Sequence, residues 1–357
     1  MKIKKNKILT IIIVIIFILA YILFATKSTR NNIQLEPIWT MNVMNAEFEK
    51  TGDSVLPFKL GKNMGYFTEN GKLCVFNTLK DNEMATITDD VYAIYDNNST
   101  ETEFHFFKQN ESAVIKRAGF PFFENDRLFM MHPNGSGFSS YYKDGREKWD
   151  FEYYCPITSF QSTKNLVTIG FADGIIMILG PNGNKRHVIQ PAGSEYEVIF
   201  GTAISNSENY VACISGLNKQ RLVLIDIAES TSKIIYHEYV EAETIEQSLV
   251  QFSEDEKYVF FNEKDCLVAV NIEETTSTKI PIMGKVMQIK ESHDGQFYFV
   301  LSKNSGRSTV HILNKNMYNV GSFDFDDENA FIETDDANLY VGNGQEISKI
   351  AIDMITD

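Results

Sequence analysis

Cysteine is scarce and scattered: Cys74, Cys155, Cys213 and Cys266 are the only four in 357 residues, and no CxxC pair occurs. Such irregular spacing supports neither a disulfide framework nor a zinc site. Cys74 and Cys213 stand inside apolar runs, where a reduced, buried thiol is expected. The six histidines, His105, His132, His187, His237, His293 and His311, form no HExxH and no i, i+4 pair, so they are read as structural. Acidic residues are missing from the N-terminal end, where none precedes Glu36, while Lys2, Lys4, Lys5, Lys7, Lys27 and Arg30 crowd the first thirty positions. Removing those six from the 33 Lys and Arg leaves 27 against 48 acidic residues, a formal charge of −21 on the remainder. A surface that acidic repels phosphate backbones and excludes nucleic acid as a partner. Helical apolar stripes are also lacking beyond the first segment, which leaves strands to build the core.

What is present begins with an anchor. Residues 8–25, ILTIIIVIIFILAYILFA, are eighteen in number and carry no charge. As a helix they would span about 27 Å, enough for a bilayer core. Leu23 stands where a cleavable signal peptide would need a small residue before Ala25, so a retained span is expected. Four lysines precede the run, which places residues 1–7 in the cytoplasm and everything after about residue 29 outside it. Residues 26–36 are polar and aperiodic, read as a linker, and residues 37–357 as the folded domain.

That domain repeats. In SLVQFSEDEKYVFFNEKDCLVAVNIEETTSTKIP (248–281), four short strands are separated by acidic or Asn-containing turns, and Val250 and Phe252 alternate with polar Gln251 and Ser253. One such unit cannot bury its own apolar face and needs stacked neighbours. The turn after the first strand recurs at Ser205, Ser253, Ser292 and Thr334, each followed by small polar or acidic residues and then Tyr210, Tyr258, Phe297 or Leu339. Units begin near 120, 157, 199, 248, 287 and 330, a period of roughly 40 residues and the size of a four-stranded propeller blade. Between 55 and 116 only seven strands can be placed where two blades need eight. The segment 330–352 supplies three, and 37–43 would be its outer fourth, closing the ring. Trp39 in that segment matches Trp149 in 146–152. The fold expected is all-β, a propeller of about eight (alternatively seven) four-stranded blades after one transmembrane helix.

Two stretches carry a resemblance. Residues 143–151, KDGREKWDF, resemble the tail of a PQQ-type propeller repeat, and 253–260, SEDEKYVF, resemble WD40-like and YVTN-like bacterial repeats. The resemblance implies a fold, and fold does not carry function. A quinone-dependent enzyme of that superfamily often has a vicinal cysteine pair and needs a Trp floor. No two cysteines here are adjacent, and His187 stands where the next blade would carry its Trp.

Other candidates for chemistry resolve into turns. Gly65 to Lys72 mimics a phosphate loop with one residue too many, and Asn70-Gly71 reads better as a hairpin turn. Gly135-Ser136-Gly137 fails the spacing of a nucleophile elbow. The acidic run Asp324, Asp326, Asp327, Glu328, Glu333, Asp335 and Asp336 has carboxylates enough for Ca²⁺ but neither the spacing nor the glycine of an EF-hand loop, and is read as a solvated rim, with any metal left open. Phe120, Phe122, Phe123, Tyr141, Tyr142, Tyr153 and Tyr154 cannot all face one side of their strands, so some project outward. No catalytic residue, cofactor-binding residue or cofactor is assigned. The expectation is a membrane-anchored, extracytoplasmic scaffold that binds a protein, a ligand or an envelope component. The alternative is an enzyme, hydrolytic or quinone-dependent, with its site in the central channel.

Overall fold

The computed structural model describes residues 32–355, apart from 51–54, 242–244, 327–328 and 336–337. The apolar run at 8–25 lies outside the described residues, and among those residues no helix is long and apolar enough to cross a membrane. Among the described residues, 31 strands form eight sheets, seven of four strands and one of three. Every sheet is antiparallel, the first seven are sequential meanders, and the sheets follow one another as blades I (55–78), II (83–115), III (120–152), IV (157–189), V (199–239), VI (250–281), VII (285–325) and VIII (331–355 with 32–42). The first strand of blade I touches the first strands of both blade VIII and blade II, which closes the ring.

Burial explains the sequence pattern. In blade IV the second strand Val167–Phe171 and third strand Ile176–Leu179 are buried at every position, whereas the fourth, Lys185–Ile189, faces mostly water. The middle strands are covered by a blade on each face, so they need apolar residues throughout. Cores accordingly lie between blades: Leu222 and Leu224 of blade V pack with Val259 and Val268 of blade VI. Each such buried side chain contributes about 1.5–3 kcal/mol.

The recurring turn behaves as its residues demand. The Ser253 hydroxyl accepts from Tyr258 N–H (2.9 Å) and donates to Asp255 (2.7 Å), and Ser292 repeats this with Phe297 and Asp294. The fourth turn position is left-handed in three blades: φ is +62° at Glu208, +56° at Glu256 and +65° at Gly295. Glycine adopts this conformation freely, and glutamate does so at a cost. Both glutamates are held there by the preceding blade. Glu208 accepts from Asn165 N–H (2.9 Å) and the Thr163 hydroxyl, and Glu256 from Ser207 N–H and its hydroxyl (2.6 Å).

Blade I accounts for the odd strand count. Its strands are Val55–Leu60, Asn63–Thr68 and Leu73–Thr78, and no full fourth strand follows among the described residues. In its place residues 47–49 make a single parallel bridge, Glu49 N–H to Leu73 O and Leu73 N–H to Glu47 O, both 2.8 Å.

Blade VIII takes its outer strand from the start of the described chain. Asn32–Asn42 pairs along Glu346–Ile355, from Asn32↔Ile355 to Asn42↔Glu346. The strand begins five residues before the expected 37, because Ile33 and Leu35 pack against the cluster between blades VII and VIII while Gln34 and Glu36 face water. A bulge between Pro37 and Trp39 accommodates the proline, which has no N–H for the ladder.

The two tryptophans do matching work on the following blade. Trp39 donates its indole N–H to Glu69 O (3.0 Å) and lies over Gly71, where a Cβ would meet the ring at 3.1 Å. Trp149 donates to Pro181 O (2.8 Å) and lies over Gly183. Both glycines have positive φ, +76° and +74°. Gly71 stands in a second-to-third-strand hairpin and Gly183 in a third-to-fourth one, so the clasps sit at opposite ends of the blades.

Candidate binding face

The meander fixes which side chains meet. Strand direction alternates within a blade, so hairpins between strands one and two, and three and four, collect on one face of the ring, the turn face. Hairpins between strands two and three, and every crossover to the next blade, collect on the other, the crossover face. The Asn42 end of the closing strand lies beside the 343–346 hairpin, hence on the crossover face. Its Asn32 end lies on the turn face, where the preceding residues join the ring.

On the crossover face, successive blades expose large apolar side chains. Tyr154 stands in the crossover from blade III to IV, Tyr196 in the next, and Tyr239 closes the last strand of blade V. Ile245 follows in the crossover to blade VI, and Met283 and Met287 flank the start of blade VII. Tyr154 and Ile245 are 80 % and 81 % exposed, and all six are exposed. An isolated exposed apolar residue is ordinary, but a series of them on one face of consecutive blades, with Met287 at the channel mouth, fits a binding surface. Tyr154 is held by Tyr153, whose ring lies 4.2 Å from it and 4.5 Å from buried Phe171.

The seven aromatics singled out in the sequence divide between packing and solvent. Phe123 packs edge-on to Phe104 at 5.1 Å and Phe122 to Phe160 at 5.2 Å, both across blade boundaries, and Tyr141 is buried. Phe120, Tyr142 and Tyr154 are exposed, with Phe120 at the crossover end of its strand and Tyr142 in a hairpin of the turn face. Sequence reading missed Tyr196, Tyr239, Ile245, Met283 and Met287. Each is a lone apolar residue at a strand end or in a loop, and only the ring brings them onto one face.

The channel wall is polar and bonded from blade to blade. Gln161 accepts from Ile204 N–H (2.7 Å), Gln288 from Ile332 N–H (2.9 Å), Gln251 donates to Ile289 O (3.2 Å) and Lys59 to Ala85 O (3.0 Å). A 510 Å³ cavity lined by Gln251, Gln288, Lys290, Glu291 and Glu333 adjoins one of 520 Å³ that shares Gln288 and Glu333 and reaches Lys59. Lys290 and Glu333 pair at 2.8 Å. Burial pushes the carboxyls of Glu124 and Glu291 up to about 7 and raises that of Glu333. Polar residues from four blades thus converge, and their side chains clasp neighbouring strands.

The acidic run is drawn into ion pairs where it is described. Arg307 reaches Asp324 (2.8 Å) and Asp326 (3.0 Å), while Asp335 accepts from Asn338 N–H (2.8 Å) and the Tyr340 hydroxyl. Asp327, Glu328 and Asp336 lie outside the described residues. Among the described residues no group of three His, Cys, Asp or Glu could hold a metal ion.

One cluster in blade III was not visible in the sequence. His132 Nε2 stands 3.1 Å from both Ser139 Oγ and Asp150 Oδ1, and Ser139 donates to Asp150 at 2.6 Å. A catalytic relay needs serine and carboxylate on opposite ring nitrogens. Here both meet the same nitrogen, and Ser139 is fully buried. Against the burial that would raise it, the Ser139 hydroxyl and the Arg117 guanidinium hold the Asp150 carboxyl below its ordinary value.

A family model described as beta-propeller protein matches residues 1–356. The chain belongs to that family. An uncharacterized protein of Treponema pallidum (strain Nichols) is 27 % identical over 366 residues, 99 % of this chain and 96 % of that protein. Among solved structures, BamB from Moraxella catarrhalis aligns with a TM-score of 0.59 at 14 % identity, covering 89 % of this chain and all of BamB. The computationally designed Ika8 protein aligns at 0.58 and 12 %, covering 87 % and 100 %. Identities that low establish the shared fold, and the faces of this propeller must supply the function.

Proposed function

We propose that the protein is a membrane-anchored, extracytoplasmic β-propeller that binds a protein partner through its crossover face. The observation that carries this reading is the apolar arc from Tyr154 to Met287, exposed on one face over consecutive blades. Aromatic and methionine side chains of this kind are enriched in protein interfaces. The anchor supports it by orientation. If residues 8–25 span the bilayer, only 26–31 separate that span from the closing strand at Asn32, a reach of about 20 Å even when extended. The turn face then lies against the membrane and the arc points away from it. The bonds that the channel's glutamines spend on neighbouring strands support a structural part for that wall.

The test has two arms. A reporter fused after Asp357 should be active only outside the cytoplasm, and activity confined to the cytoplasm would overturn the topology. A Tyr196→Ser, Ile245→Ser, Met283→Ser variant should keep its melting temperature within about 1–2 °C, since exposed positions contribute little to stability, yet lose the partner that the parent protein retains in detergent. Undiminished retention by the folded variant would overturn the binding face.

A further inference from the structure

We propose that the outer edge of the Leu73–Thr78 strand in blade I is a second binding site, where an extended, acidic segment of a partner protein adds as the missing fourth strand. In the seven other blades a fourth strand pairs along the outer edge of the third. In blade I that place is a groove of about 910 Å³ between Val75 and the face of blade II, lined by Tyr92, His105 and Lys108, with Lys50 at its rim. The edge accepts strand pairing, since residues 47–49 bond both backbone groups of Leu73. That pairing ends there. Among the described residues no strand lies outside 75–78.

The chemistry of the groove selects its occupant. The floor offers the stacked rings of Tyr92 and His105, 4.8 Å apart, and Phe48 lies exposed at the end where pairing has begun. A strand laid here would alternate, with apolar side chains on these rings and the others outward. Lys50 and Lys108 have no carboxylate within ion-pair distance among the described residues, in a chain whose formal charge is −15. Two lysines against the single carboxylate of Glu111 in the groove lining favour, on so acidic a protein, a segment carrying Asp or Glu at its ends. Backbone bonds would supply affinity and the rings and lysines selectivity, as in other strand additions. This site lies on the rim of the ring and does not depend on the crossover face.

The experiment uses the full chain in detergent and a short synthetic peptide of alternating valine and threonine with a glutamate at each end. We expect binding with a Kd on the order of 100 µM or tighter, weakened by up to about 25-fold by Lys50→Glu with Lys108→Glu, taking roughly fivefold for each of two exposed ion pairs as an upper value. Hydrogen exchange should slow at the 75–78 amides when peptide is added. A peptide with proline at its centre, unable to complete the ladder, should not bind. Binding without protection at 75–78, or equal binding of the proline or lysine-ended peptide, overturns the proposal. Protection of the same amides that rises with protein concentration alone also overturns it, assigning the edge to a second copy of the chain.

Discussion

The closing strand is the contact on which the whole ring depends, and its removal can be given a magnitude. Asn32–Asn42 supplies the only partner for the outer edge of Glu346–Ile355 among the described residues. Trp39 on this strand packs on Phe67 and Tyr340 at 6.4 and 6.0 Å and donates to Glu69 O. Truncating a fully buried Trp costs about 3–5 kcal/mol. Trp39 is half-buried, so Trp39→Ala should fall near the low end, about 3 kcal/mol including a hydrogen bond of about 1 kcal/mol. At about 2–4 °C per kcal/mol for domains somewhat smaller than this one, the melting temperature should fall by roughly 5–10 °C. Deleting residues 32–45 removes the ladder and the Ile33 and Leu35 contacts as well, a loss comparable with the whole 5–15 kcal/mol of a typical domain. The 46–357 protein should therefore aggregate where 32–357 stays soluble. Gly71→Ala should cost less when Trp39 is already alanine, because the added Cβ then meets no ring. Thermal unfolding with light scattering checks all three, and equal melting temperatures for 32–357 and 46–357 would refute the closure argument.

Two further outcomes follow from single side chains. Burial lifts the Glu291 carboxyl to about 7 from an ordinary 4.5, so the folded state holds its proton longer than the unfolded one. The resulting stability is fully present below about pH 4.5 and lost as pH rises through about 7. Melting temperatures read from pH 5 to 8 should fall, and Glu291→Gln should flatten part of that slope; an unchanged slope would show the carboxyl is not the source. At Glu256, glycine relieves the +56° backbone by about 1 kcal/mol but loses charge-assisted bonds worth about 1.5–3 kcal/mol each to Ser207. Denaturant unfolding should rank wild type above Glu256→Gly and that above Glu256→Ala. Alanine equal to or better than glycine would contradict the strain assignment.

How much of this was legible in the sequence follows from which interactions are local. The seven strands between 55 and 116 could be placed because each carries a short apolar or aromatic run, such as MGYF within the fully buried middle strand Asn63–Thr68 and LCVF at the start of Leu73–Thr78. Their odd number could not be resolved, because residues 47–49 replace a meander strand with one parallel bridge that leaves no period-two pattern. Trp39 and Trp149 betrayed the closing strand, since both clasp a glycine turn of the following blade. Its true start at Asn32 stayed hidden because only Ile33 and Leu35 alternate there. The left-handed glutamates had one visible signal, Gly295 at the matching position of the Ser292 turn. The arc from Tyr154 to Met287 had none, because its members are roughly 40 residues apart or less evenly spaced and become neighbours only when the ring closes.

The claim that the crossover face is the binding surface is tested most directly by photo-crosslinking in intact cells. A photoreactive residue would replace Tyr196 or Ile245 on that face and, as a control of intermediate exposure, Tyr318 in a turn-face hairpin, which is 69 % exposed against 62 % and 81 %. The account predicts one discrete protein adduct from Tyr196 and from Ile245, the same partner in both, and none from Tyr318. Adducts from Tyr318 alone, or equally from all three positions, would contradict it.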